Sequence, residues 1–125
     1  MAAAAFQDGS AGRRVKAIQH LDELSRLSSM QSALLRQKAE FETSLGRYND
    51  TVIQLLSMMN TSDRAALRSL SEEFIGAADA FLTYVTLTPA PSTQKQSRRH
   101  TNTLKDLWLE LRKSLGQLSD LLRDG

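Results

Sequence analysis

A chain of 125 residues, 41% hydrophobic and 24% charged, has the size and balance of one folded domain with a small core. Its 16 basic and 14 acidic residues leave a net charge of only +2, which argues against a dedicated nucleic-acid binder. Cysteine is absent, which excludes disulfides, a thiolate nucleophile and a cysteine-held zinc site, and no apolar run approaches the roughly 18–20 residues of a membrane span.

The N-terminal stretch from Met1 to Phe6 lacks the basic start and long apolar run of a secretory signal. Residues 1–12 read as a flexible arm broken by Gly9-Ser10-Ala11-Gly12. Arg13, Arg14 and Lys16 follow, with Asp8 the one acid before them, so a mitochondrial presequence stands as a minor alternative.

Next comes the strongest pattern in the chain. Leu24, Leu27, Gln31, Leu34, Lys38, Phe41, Leu45, Tyr48, Val52, Leu55 and Met59 recur in alternating steps of three and four, the spacing of a helix packed along one seam. Only Gln31 and Lys38 interrupt the apolar series. Because the phase never slips, the pattern predicts one long helix over about 13–59, roughly 70 Å from end to end. Gly46 and Asn49-Asp50-Thr51 are poor helix formers, so a break, if one occurs, is expected near Asp50.

Asn60-Thr61-Ser62-Asp63 is a stop-and-restart signal, with Thr61 or Ser62 as cap and Asp63 suited to the positive end of a helix dipole. A second helix is predicted over 62–86. Leu67, Leu70, Phe74, Ala77, Phe81 and Tyr84 form its seam, and Ile75, Ala78, Leu82 and Val85 widen it beyond one face. The segment from Phe74 to Val85 should therefore lie at the centre of the fold or at an interface. Pro89 and Pro91 place a loop at 88–94. A third helix is predicted over 97–123, with Leu104, Trp108, Leu111, Leu115, Leu118 and Leu122 on its seam. The expected architecture is all-α: an antiparallel bundle of three to four helices spanning 13–125, led by one long N-terminal helix. That helix would overhang its shorter partners, and its uncovered apolar seam would need a partner chain.

Chemistry-bearing groups are sparse. His20 and His100 are far apart in sequence, and neither belongs to a metal-ligand motif. The acid pairs Asp22-Glu23 and Glu72-Glu73 are consecutive on helices, so their side chains diverge by about 100°. No serine has the glycine-flanked context of a nucleophile elbow. No enzyme activity is expected, and no cofactor, metal or catalytic residue is assigned. The basic clusters read as solvated helix ends or, as partner-binding groups, place Arg13, Arg14, Lys16, Lys95, Arg98 and Arg99 against an acidic protein surface. Trp108, the single tryptophan, is either a bundle-packing residue or an interface anchor.

Three segments carry a resemblance: Leu34-Leu35-Arg36-Gln37-Lys38-Ala39-Glu40-Phe41-Glu42-Thr43-Ser44-Leu45, the capped turn Thr61-Ser62-Asp63-Arg64, and Thr88-Pro89 followed by a helix closing on Leu118-Ser119-Asp120-Leu121-Leu122. Their order resembles the small helical bundles of microtubule inner proteins of the sperm acrosome-associated protein 9 type. The chain departs from that pattern in being shorter between Asp50 and Thr61. The resemblance implies a structural, non-catalytic subunit on the luminal wall of ciliary or flagellar microtubules. Its expected partners are tubulin or neighbouring inner proteins, and its expected location is the cytoplasmic cytoskeleton. A second resemblance comes from Trp108 within the stretch from Leu104 to Leu111. It is to the four-helix bundle that begins necroptosis-type pseudokinases, and it implies self-association and signalling.

Overall fold

The computed structural model describes residues 10–124, which contain helices and no strand. Five helices follow in order: α1 (Ser10–Leu27), α2 (Gln31–Arg36), α3 (Lys38–Ser57), α4 (Thr61–Leu87) and α5 (Gln94–Asp124). The chain is all-α, as its periodicity predicts. The single helix expected over 13–59 is instead three, and the longest helix is α5, with 31 residues. Of the expected arm at 1–12, residues 10–12 are the first turn of α1; residues 1–9, and most of the segment on which a presequence would depend, lie outside the described residues.

The first break falls at 28–30, not near Asp50. Ser28 closes the last turn of α1 by donating its backbone N–H to Leu24 O at 3.1 Å, and its hydroxyl donates to the same carbonyl at 2.7 Å. A serine that satisfies the preceding turn with its own side chain competes with further helix. Met30 is then extended, at φ −136° and ψ 147°, and the chain turns back. The second break is a bend at Gln37, whose N–H is shared between Ala33 O and Leu34 O. Through Gly46 and Asn49-Asp50-Thr51 the helix is continuous, and Thr51 is buried there.

The turn at 28–30 lays α1 alongside α3, where Ser44 donates to Glu23 at 3.2 Å. The seam keeps its phase through the reversal because both arms face one core: Leu24, Leu27, Leu34, Phe41, Tyr48, Val52 and Leu55 are all buried. The expected overhang is therefore absent, because the apolar stripe of 13–59 folds onto itself.

Asn60 caps α4, accepting a hydrogen bond from the Asp63 N–H at 3.1 Å while its own amide donates to the Asp63 carboxylate. Phe74, Ala78 and Phe81 are fully buried at the bundle centre, as the widened seam predicts. At the start of α5, the Thr93 hydroxyl accepts from the Gln96 N–H, and the Gln96 side chain accepts from both the N–H and the hydroxyl of Ser92. This cap begins α5 three residues ahead of the predicted start. Connections of a few residues at 28–30, 58–60 and 88–93 make consecutive long helices antiparallel. The long helices form a ring of neighbours in which α1 meets α3, α3 meets α4, α4 meets α5 and α5 returns to α1.

Candidate functional site

Of the four sides of this ring, the α3–α4 side is packed most thinly. Its inner half is filled by aromatic rings. Tyr48 and Phe74 meet edge to face with centroids 6.2 Å apart, and the Tyr48 hydroxyl is 2.8 Å from that of Ser71. Burial pushes the Tyr48 phenol well above its ordinary pKa, so it stays a neutral hydrogen-bonding group. On the outer half the facing side chains are short. Gly46 and Asn49 on α3, and Thr83 and Thr86 on α4, cannot bridge helices propped apart from within.

The result is an open groove along the seam. Its part toward the C-terminus of α4 holds about 530 Å³ and its part toward the N-terminus about 450 Å³; Asn49 and Ile75 line both, so the two adjoin. Leu45, Val52, Leu56, Ile75 and Leu82 contribute apolar lining. Ile53 and Leu87, also in the lining, remain 57% and 75% exposed, which is unusual for large aliphatic groups that sit beside one another's apolar neighbours. Gly46 has a further property: a Cβ placed on it meets nothing within 4 Å.

The residues singled out from sequence are dispersed. Arg13, Arg14 and Lys16 stand at the start of α1, beside the end of α5; Lys95, Arg98 and Arg99 stand at the start of α5, about 40 Å away along that helix. The structure does not unite them in one basic surface. Arg14 closes the fold, donating from Nε to Leu122 O at 2.6 Å and from Nη2 to Arg123 O at 3.0 Å. A cation on the last carbonyls of α5 also complements that helix's dipole. Arg13 is half-buried, whereas Lys16, Lys95, Arg98 and Arg99 are exposed. Trp108 is half-buried against the core and donates its indole N–H to Ser28 O at 2.8 Å, which places it in bundle packing. Beside it, Arg112 donates to Ser25 O at 2.8 Å and reaches the hydroxyls of Ser25 and Ser28.

His100 stacks on Tyr84, with ring centroids 5.4 Å apart and the phenol 3.0 Å from Nδ1. His20 is held below its ordinary pKa, chiefly by burial, then by Lys16 and Arg47, with Glu23 opposing. The folded state therefore binds fewer protons at His20 than the unfolded chain does. Its contribution to stability is complete above the unfolded pKa of about 6.5 and is lost as pH falls from there through the lower folded value. Between about pH 7.5 and about pH 5.5, a His20→Gln variant is expected to lose less stability than the parent. Urea unfolding at both values checks this, and an equal loss in both proteins would remove His20 as a source of pH dependence. Among the described residues no group of three or more His, Asp or Glu could hold a metal ion, and no helix is long and apolar enough to cross a membrane.

The groove was missed by sequence reasoning, although a signal for it exists. Gly46 and Asn49 lie at helical spacing on one face of α3, small and polar where a packed face would be bulky, and Ile53 continues that face as an aliphatic group left exposed. No protein-family model, no curated protein and no solved structure matches the chain.

Proposed function

We propose that the chain is a non-enzymatic interaction subunit of a larger assembly, and that the α3–α4 groove is where the assembly holds it. The observation that carries this reading is the pair of adjoining, largely apolar hollows left open between two otherwise well-formed helices. An apolar concavity bounded by helices is a common form of docking site for a partner segment. The ciliary or flagellar microtubule is the assembly proposed, on the strength of the sequence resemblance alone. The exposed Lys16, Lys95, Arg98 and Arg99 remain auxiliary contacts for an acidic surface such as tubulin's.

Gly46 supplies the test. Leucine at that position adds bulk to the groove lining, its Cβ has open space around it, and it replaces the poorest non-proline helix former with a good one. Gly46→Leu is expected to raise stability by up to about 1 kcal/mol, raising Tm by a few degrees. At the same time it is expected to release a tagged chain from its assembly under detergent and high-salt extraction of the native cell. Retention of the parent in the extracted axoneme, with loss of the variant, supports both the site and the setting. Equal retention of the two rejects the groove. A parent that is diffuse and fully extracted rejects the microtubule setting in favour of the self-associating signalling bundle.

A further inference from the structure

The groove is polarised along its length. At the end toward the C-terminus of α4, Glu42 lines it from α3 and Asp79 from α4. At the other end Arg64 and Arg68 line it from the first turns of α4, and Glu72 follows one turn on. Among the described residues, Glu42, Asp79, Arg68 and Glu72 form no ion pair, and the hydrogen bond of Arg64 is a long 3.5 Å contact to Thr61 within its own helix. The half lined by Glu42 and Asp79 is thus net negative, and the half lined by Arg64, Arg68 and Glu72 is net positive, around an apolar floor.

The walls select the form of the occupant. They are helix surfaces whose backbone groups are already paired within each helix. An extended strand laid between them would find no edge to bond, and its own N–H and C=O groups would be buried without partners. A helix satisfies its backbone internally and needs only an apolar stripe. From Glu42 to Ser57 the groove follows α3 for about 22 Å, which accommodates roughly four helical turns. The source is also constrained. The apolar stripes of α1, α3, α4 and α5 are occupied by their own core, so among the described residues a folded second copy offers no such long helix. An anionic bilayer would be repelled by Glu42 and Asp79.

Resting on the groove reading above, we infer that the occupant is one amphipathic helix of a different protein, about four turns long. It is basic at the end that meets Glu42 and Asp79 and acidic at the end that meets Arg64 and Arg68.

Three synthetic helical peptides of about 16 residues test this. They share a leucine stripe and differ in their ends: basic and acidic, both basic, or both acidic. Binding to the full chain is read by fluorescence anisotropy. The polarised peptide is expected to bind about tenfold more tightly than either of the others, with the margin shrinking as salt is raised. In a Glu42→Lys, Asp79→Lys double variant the doubly acidic peptide should move to first rank. Gly46→Leu should abolish binding, while Gly116→Leu, on α5 outside the groove and with equally open space around its Cβ, should preserve it. Equal affinity for the three peptides, or binding of none, overturns the inference. If Gly46→Leu nevertheless releases the chain from its cellular assembly, the groove reading survives that failure. Peptide binding that Gly46→Leu does not affect overturns the groove as the site.

Discussion

Phe74→Ala is expected to destabilise the chain by about 3–5 kcal/mol, the largest effect of any single truncation proposed for it. Phe74 lies in the middle of α4, is fully buried, and supports Tyr48 through an edge-to-face contact at 6.2 Å and 82°. Removing the ring forfeits its transfer free energy and leaves a cavity between α3 and α4. That side of the ring is already the thinnest, so little remains to collapse into the space. The Tyr48–Ser71 hydrogen bond is disturbed with it, because Ser71 lies one turn before Phe74 on the same helix. A domain of this size is stable by about 5–15 kcal/mol, so the variant should lose a large share of its margin and melt roughly 10–20 °C lower. Leu87→Ala, at a side chain 75% exposed, should change stability by less than about 0.5 kcal/mol. Urea and thermal unfolding of the two variants decide the matter, and comparable losses would contradict the assignment of Phe74 to the core.

Trp108→Ala is expected to cost about 3 kcal/mol and to loosen one place in particular, the C-terminus of α1. The indole N–H of Trp108 satisfies Ser28 O, and Arg112, one turn further along α5, satisfies Ser25 O. These are carbonyls that a helix leaves without internal partners where it ends. Without the indole, the amides of Ser28 and Ser29, which close the last turn on Leu24 O and Arg26 O, should exchange faster with solvent. Trp108→Phe keeps most of the apolar volume and removes only the donor, so its cost should fall near 1 kcal/mol. Were Trp108 instead an interface anchor, the alanine variant would keep its stability and lose only partner binding. Denaturant titration beside hydrogen exchange separates the two roles.

These two residues also show where sequence and structure diverge. Seam periodicity identifies which side chains are buried, and it does so from Leu24 to Leu122: the predicted seam leucines are buried or pack against the core. It does not say whether two stretches in phase belong to one helix or to two arms of a hairpin, because both arms turn the same face to a common core. Gln31 and Lys38 held the missing information. The only two polar interruptions of the first seam are the first residues of α2 and α3. A polar group at a seam position costs least where the chain is bending away from the core. Gly46 and Asp50 misled for the opposite reason, since weak propensity inside α3 is outweighed by the burial of Tyr48, Thr51 and Val52 around them.

The basic clusters were legible as residues and not as a surface, since nothing local reveals that Arg14 is spent on the end of α5 while Arg98 and Arg99 stand exposed at its start. The groove depends on the relative spread of α3 and α4, which the Tyr48–Phe74 pair sets from the inside.

By itself, then, the sequence determined the helical class, the buried stripe and the stops near Asn60 and Pro89, because each follows from local periodicity, capping and proline chemistry. Only the tertiary structure decided that the first seam folds back at Ser28, that Trp108 and Arg112 hold that end, and that one side of the ring stays open. The packing of the reversed arms, the Trp108 and Arg112 contacts and the spread of α3 from α4 depend on groups some 20 to more than 80 residues apart in the chain, and short-range pattern carries no record of such pairings.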